Sequence, residues 1–277
     1  MSELPVSSFE AAPAGLAALG RHASLAAASE ALPAGAYTTL RTYGGRGVVR
    51  LASHLQRLEE SAALQGRPGS LDAAAARRAI SLALDATRHA ESRLRLTFAP
   101  PRLFVAVEAF SPPPARLYAE GAACVTLALR RDNPHAKDTR FIATARAAYA
   151  RLPEGVEEGL LVADDGSLLE GLSSNFFAIH GGKLRTEDER VLPGVTRSLV
   201  LEVASPLLAI RLLAVRRDEL PAVEEAFITS VSREVLPVVR IDGRPIGDGH
   251  VGPRTRAIVD GFAALVARER ESLQKTS

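Results

Sequence analysis

The sequence has no tryptophan, one methionine and one cysteine, and only 5% of its residues are aromatic. The single cysteine, Cys124, excludes an internal disulfide and any metal site built from cysteine pairs, and it suits a reducing, cytoplasmic setting. Its six histidines are scattered, with no pair at metal-ligand spacing. The net charge is only +2 and the arginines are dispersed among acids, which gives no case for nucleic acid as a partner. No apolar run approaches membrane-spanning length. The alanine-rich N-terminal stretch lacks a basic leader and contains Glu10, Arg21 and His22, so it does not read as a signal peptide. A soluble, cytoplasmic protein is the expectation.

Lysine is also scarce. Of 34 basic residues only three are lysines: Lys137, Lys183 and Lys275. Lys183 falls in a Gly-Gly-Lys turn and Lys275 in a polar tail, where a solvated charge suffices. Lys137 instead opens a helical pattern, after the turn-forming Arg131-Asp132-Asn133-Pro134-His135. Arginine cannot deprotonate at ordinary pH, whereas a lysine shifted by its surroundings can form a Schiff base with an aldehyde.

The 277 residues suffice for one large domain or two smaller ones. Tyr37 to Thr42 reads as a strand, and Tyr43 to Gly47 as a turn into Val48 to Leu51. Leu51, Leu55, Leu58 and Ala62 mark a helix face, and a second helix is expected from Asp72 to His89. Further strands are expected at 93–98, 103–110 and 122–129. A Pro-Pro-Pro run at residues 112–114 marks a break. Three hairpin signals follow, at Asp165-Gly166, Gly181-Gly182 and Asp242-Gly243, with helices near 196–207 and 253–272. This mixture predicts an α+β protein of two domains, residues 1–115 and 122–277, with Lys137 in the second.

Two further segments could carry chemistry. Leu169 to Phe177 sets Glu170, Gly171, Ser173, Ser174 and Asn175 between large apolar residues, where polar groups need partners. Leu192-Pro193-Gly194-Val195-Thr196-Arg197 opens a helix whose N-terminal N–H groups suit an anion. An imine-forming lysine, a carboxylate able to hold a ring nitrogen protonated and an anion site together match pyridoxal phosphate.

At these residues the chain resembles the class IV (fold type IV) aminotransferases, the family of branched-chain aminotransferases, D-amino acid aminotransferases and aminodeoxychorismate lyases. The resemblance rests on Ser53-His54-Leu55-Gln56-Arg57-Leu58, Lys137, Glu170-Gly171 to Asn175-Phe176, Leu192 to Arg197, and Thr229-Ser230 through Pro237-Val238. It implies two α+β domains with the cofactor, pyridoxal 5'-phosphate, in the cleft between them, and a homodimer. Lys137 would attach the cofactor covalently and move a proton at the substrate α-carbon. Glu170 would pair with the pyridine nitrogen. Arg57, Val195, Thr196 and Ser232 would serve the phosphate side, with Ser174 and Asn175 lining the cofactor. Tyr37, Arg41, Arg95, Ser230 and Val231 would face substrate.

Several positions depart from the family pattern. Val231 stands where relatives usually carry threonine, and Arg140-Phe141 replaces an asparagine-containing stretch. Thr97 to Pro100 lacks the arginine and histidine that D-amino acid aminotransferases place there. The expected activity is amino transfer from an aliphatic, branched-chain type amino acid to 2-oxoglutarate, with Arg41 or Arg95 receiving the distal carboxylate. The alternatives are a D-amino acid aminotransferase, and an aminodeoxychorismate lyase releasing pyruvate. The lyase finds support in the two threonines of Tyr37-Thr38-Thr39-Leu40-Arg41.

Overall fold

The computed structural model describes residues 5–13 and 15–274; Lys275 lies outside them. In chain order the elements are β1 (Val6–Ala12), β2 (Gly15–His22), α1 (Leu25–Glu30), β3 (Ala36–Arg41), β4 (Gly47–Val48), α2 (Leu51–Leu64), α3 (Ala73–Thr87), β5 (Ser92–Ala99) and β6 (Arg102–Ala109). They continue with α4 (Ala115–Glu120), β7 (Ala122–Leu127), α5 (Arg140–Tyr149), β8 (Glu158–Val162), β9 (Leu168–Gly171), β10 (Asn175–His180) and β11 (Lys183–Arg185). The remainder are α6 (Val195–Ala204), β12 (Ile210–Arg211), β13 (Val223–Ser230), β14 (Glu234–Ile241), β15 (Arg244–Pro245), α7 (Pro253–Glu269) and β16 (Glu271–Ser272).

Two compact units result. The first gathers the chain up to Ser111, Ala136–Thr144 and the chain from Glu269 onward. Its main sheet has five strands in the order β2-β1-β6-β5-β3, and β16 pairs with β4 beside it. Along β3, buried Ala36, Thr38 and Leu40 alternate with half-buried Tyr37, Thr39 and Arg41, as a pleated strand with one face on a core requires. Leu51, Leu55, Leu58 and Ala62 of α2 cover that core with Ala76, Ile80 and Ala83 of α3. The Asp72 side chain caps α3, accepting from the N–H groups of Ala74 and Ala75.

The second unit holds Pro112–His135 and Ala145–Arg268. Pairings run β10-β13-β14-β7-β8-β9, and β9 returns to β10, so the strands close into a ring. The seam of that ring is a single residue pair, Glu170 with Asn175. Phe177 and Phe227, opposite each other on β10 and β13, stack with ring centroids 4.9 Å apart. The three expected hairpins are present, as β8–β9, β10–β11 and β14–β15.

The structure adds β1, β2 and α1, in a stretch that carries no strand or helix signal in the sequence beyond alanine bias, and it corrects one expectation. The Lys137 segment packs with the first unit, not the second. Strand β3 captures it: Tyr37 N–H donates to the Lys137 carbonyl at 2.8 Å, and Thr139 N–H donates to the Gly35 carbonyl at 3.1 Å. Gly35 N–H in turn donates to Thr139 Oγ1 at 3.1 Å.

Candidate active-site residues in two units

In the first unit, His54, Arg57 and Ser61 occupy one stripe of α2 at spacings of three and four, and all three are buried. Each has a partner. Ser61 Oγ accepts the Lys137 N–H at 3.1 Å, which fixes the backbone of that lysine against α2. Arg57 Nη2 donates to Thr38 Oγ1 at 2.7 Å, and the same hydroxyl lies 2.7 Å from His54 Nδ1. Thr38 Oγ1 therefore links the two side chains, accepting from Arg57 while sharing a hydrogen bond with the His54 ring. Burial, followed by the charges of Arg57 and Lys137, holds His54 well below the usual histidine range. Burial also lowers Arg57 to about 10, which leaves it cationic at neutral pH.

Tyr37 presents its ring to two cations. Lys137 Nζ lies 5.0 Å from the ring centroid and the Arg95 guanidinium 4.9 Å from it. Arg95 is held from behind: its Nη1 donates to the Leu25 carbonyl and to Ser29 Oγ at 3.1 and 3.0 Å. Arg41 lies over the rings of Tyr43 and Phe110, at 4.3 and 4.7 Å.

In the second unit, Glu170 is 3% exposed. Its Oε2 accepts the Leu192 N–H at 3.1 Å, and Asn175 Nδ2 donates to the Leu192 carbonyl at 2.9 Å. The two seam residues thus grip both sides of Leu192, just before α6. Arg131 Nη1 stands 3.5 Å from Glu170 Oε1. Helix α6 begins at Gly194, which offers no side-chain cap, so Val195 and Thr196 stand in a first turn whose N–H groups suit an anion. Val195 and Thr196 are buried, and Arg197 is tied to the Glu187 carbonyl and to Asp188.

The Ser174 hydroxyl donates to Glu158 Oε2 at 2.9 Å, inside a buried cluster that carries no local sequence signal. Ser230 Oγ accepts from the Arg233 N–H at 3.2 Å, within the turn that also contains half-buried Val231 and Ser232. Arg131, Thr38, His54 and Ser61 were also missed as site residues. The polar stripe at 54, 57 and 61, set among the leucines of α2, is the signal that could have found two of them.

The sequence model of the amino-transferase class IV family matches residues 35–241. The chain belongs to that family. It is 34% identical over 139 residues to the "Probable branched-chain-amino-acid aminotransferase" of Aquifex aeolicus, a match covering 49% of this chain and 45% of that protein. Over 120 residues it is 32% identical to the branched-chain-amino-acid aminotransferase of Escherichia coli K12, covering 42% of this chain and 39% of that one. The matched stretches thus span about half or less of these relatives' length. The solved branched-chain aminotransferase of the thermophilic archaeon Thermoproteus uzoniensis, with norvaline, superimposes with a TM-score of 0.75 at 23% identity, covering 99% of this chain and 100% of that one. That likeness establishes the shared fold.

The residues of this class IV chain fit pyridoxal phosphate in their chemistry. A primary amine on a fixed backbone suits an aldehyde. A buried cationic guanidinium and an uncapped helix start suit a phosphate. A buried carboxylate that already accepts an N–H suits a protonated ring nitrogen.

Proposed function

We propose that this chain is a pyridoxal-phosphate-dependent aminotransferase. It would move the amino group of an aliphatic, branched-chain type amino acid to a 2-oxo acid, with 2-oxoglutarate as acceptor. The observation that carries the reading is Lys137: the class IV chain keeps this amine, with its backbone pinned by Ser61 and Tyr37. Pyridoxal phosphate, when bound, supplies the aldehyde and the electron sink that stabilises negative charge at the substrate α-carbon.

The protein's own groups do the rest. Lys137 Nζ binds the cofactor and moves a proton at the substrate α-carbon. Glu170 holds a proton at the ring nitrogen. Arg57, the N–H groups of Val195 and Thr196, the Thr196 hydroxyl and Ser232 bind phosphate, and Asn175 keeps the Leu192 segment in place for them. Tyr37, Ser230 and Val231 shape the substrate side. The distal carboxylate of the acceptor falls to Arg41, over the rings of Tyr43 and Phe110, or to Arg95, held by α1. A homodimer in the cytoplasm is part of the same reading, supported by the family resemblance and by the lone, buried Cys124.

A lyase reading keeps one support, since Thr39 shares the half-buried side of β3 with Tyr37. The deciding experiment supplies the loaded enzyme with L-leucine, L-isoleucine or D-alanine plus 2-oxoglutarate, and separately with aminodeoxychorismate. Amino transfer from the L-amino acids supports the proposal. Pyruvate release from aminodeoxychorismate without amino transfer from any donor overturns it.

A further inference from the structure

Glu158, on β8, is fully buried, and three other segments of the second unit converge on it. Arg233 Nη2, from the β13–β14 turn, donates to Glu158 Oε2 at 2.6 Å and to Ser173 Oγ at 2.7 Å. Ser174 donates to the same carboxylate oxygen at 2.9 Å from the β9–β10 corner. Tyr149, at the end of α5, donates to Oε1 at 2.6 Å, and the Gly159 N–H of β8 joins it at 3.1 Å. The charge of Glu158 holds Arg233 above its ordinary range in spite of burial. Such a pair, with the carboxylate fully buried and the guanidinium largely covered, is rigid, and removing Arg233 leaves a stranded charge.

Two of these segments flank groups assigned above. The β9–β10 corner joins Glu170 to Asn175, and the β13–β14 turn carries Ser230, Val231 and Ser232. Arg233 also binds its own turn, with its N–H and Nε on Ser230 Oγ at 3.2 and 3.4 Å. We propose that Arg233, acting through Glu158 and Ser173, is a positioning residue that locks the β13–β14 turn to the β9–β10 corner. The carboxylate-bearing corner and the substrate-side turn then hold one spacing through the catalytic cycle. This inference rests on the aminotransferase reading for its kinetic consequence, not for its mechanical one.

The test compares Arg233→Met, Arg233→Lys and Tyr149→Phe in the loaded enzyme with L-leucine and 2-oxoglutarate. Tyr149→Phe removes one bond to Glu158 and one to Ser173 but leaves Arg233 bonded to both, so its loss of kcat/KM should be clearly smaller than that of Arg233→Met. Arg233→Met should lower kcat/KM by about 10- to 100-fold, the scale expected of a displaced binding group. Arg233→Lys should recover part of that loss. Equal kinetic losses in Arg233→Met and Tyr149→Phe, or no recovery with lysine, overturn the proposal and leave a purely structural cluster.

If Arg233→Met does not accumulate folded, Ser173→Ala replaces it and should give a smaller loss in the same direction; an unchanged kcat/KM counts against the lock. Amide hydrogen exchange gives a readout that needs no cofactor. Residues 172–174 and 230–232 should both exchange faster in Arg233→Lys than in the parent, while 195–197 should not. Acceleration of only one segment overturns the lock. Failure of the parent to take up cofactor or transfer amino groups would instead count against the aminotransferase reading.

Discussion

Asn175 and Gly194 touch so closely that a side chain at position 194 has no room: a Cβ there would lie 2.2 Å from Asn175 Oδ1. The glycine that opens α6 is therefore set by the amide at the seam of the strand ring. Gly194→Ala should push Asn175 off Leu192 and tilt the start of the helix. We expect at least about a tenfold weaker affinity for pyridoxal phosphate and a stability loss of about 1–3 kcal/mol. Titration of the cofactor by absorbance, beside urea unfolding, measures both; unchanged affinity would remove α6 from the phosphate site.

Lys137→Ala should lose the visible absorbance of the cofactor-bound lysine and nearly all turnover, because no other residue offers an amine at that place. Borohydride reduction of the loaded parent, followed by peptide mass mapping, should mark Lys137. A mark on Lys183, or none at all, refutes the assignment.

Glu170→Gln should still take up cofactor, since the amide can keep a hydrogen bond, yet turn over at least about tenfold more slowly. The neutral side chain cannot hold the ring proton by charge, and it faces the Arg131 guanidinium without a compensating negative charge. Equal rates in the two proteins would dismiss the role given to Glu170.

His54 should impose a pH dependence on folding. Its proton affinity is depressed in the folded state, so below the unfolded value of about 6.5 the unfolded chain binds a proton that the folded chain refuses. Stability associated with neutral His54 is thus complete above that pH and is lost as the pH falls, by at most about 1.4 kcal/mol per unit. Urea unfolding from pH 7 down to pH 5 should show this slope, and His54→Asn should flatten it. An identical slope in the variant would contradict the burial of a neutral imidazole.

Thr38→Val should cost about 1–3 kcal/mol by leaving buried partners on both sides without their shared hydroxyl. Cofactor affinity should fall with it, because Arg57 loses the contact that aims it. The same titration and unfolding measurements apply. A loss of stability with full affinity would mean that Arg57 is aimed by other contacts.

Much of this architecture was legible because short-range signals agreed with the fold. The leucine spacing of α2 predicted its buried face, and each glycine-containing dipeptide named as a hairpin joins two paired strands. The site motifs were legible as residue types in order. What remained hidden depended on partners distant in sequence. Local pattern places Lys137 with the second unit because its capture by β3 is a pairing across about a hundred residues, which no short-range signal reports. The strands β1 and β2 are hidden because the alanine bias gives no strand signal locally; β1 is held by pairing with β6, and β2 by pairing with β1. The pairing of Glu158 with Arg233 spans 75 residues, which no local pattern reports either.

The first unit is assembled from three separate stretches, and its last strand, β16, pairs with β4 more than 200 residues earlier in the chain. Arg46 Nε holds the Leu273 carbonyl at 2.7 Å, and Arg77 meets Glu271 at 2.6 Å. On the ribosome, therefore, the part of the protein made first must wait for the part made last. Until translation has delivered residue 273, the lysine-bearing half has an unfinished edge, and chaperone demand during synthesis should concentrate in that interval.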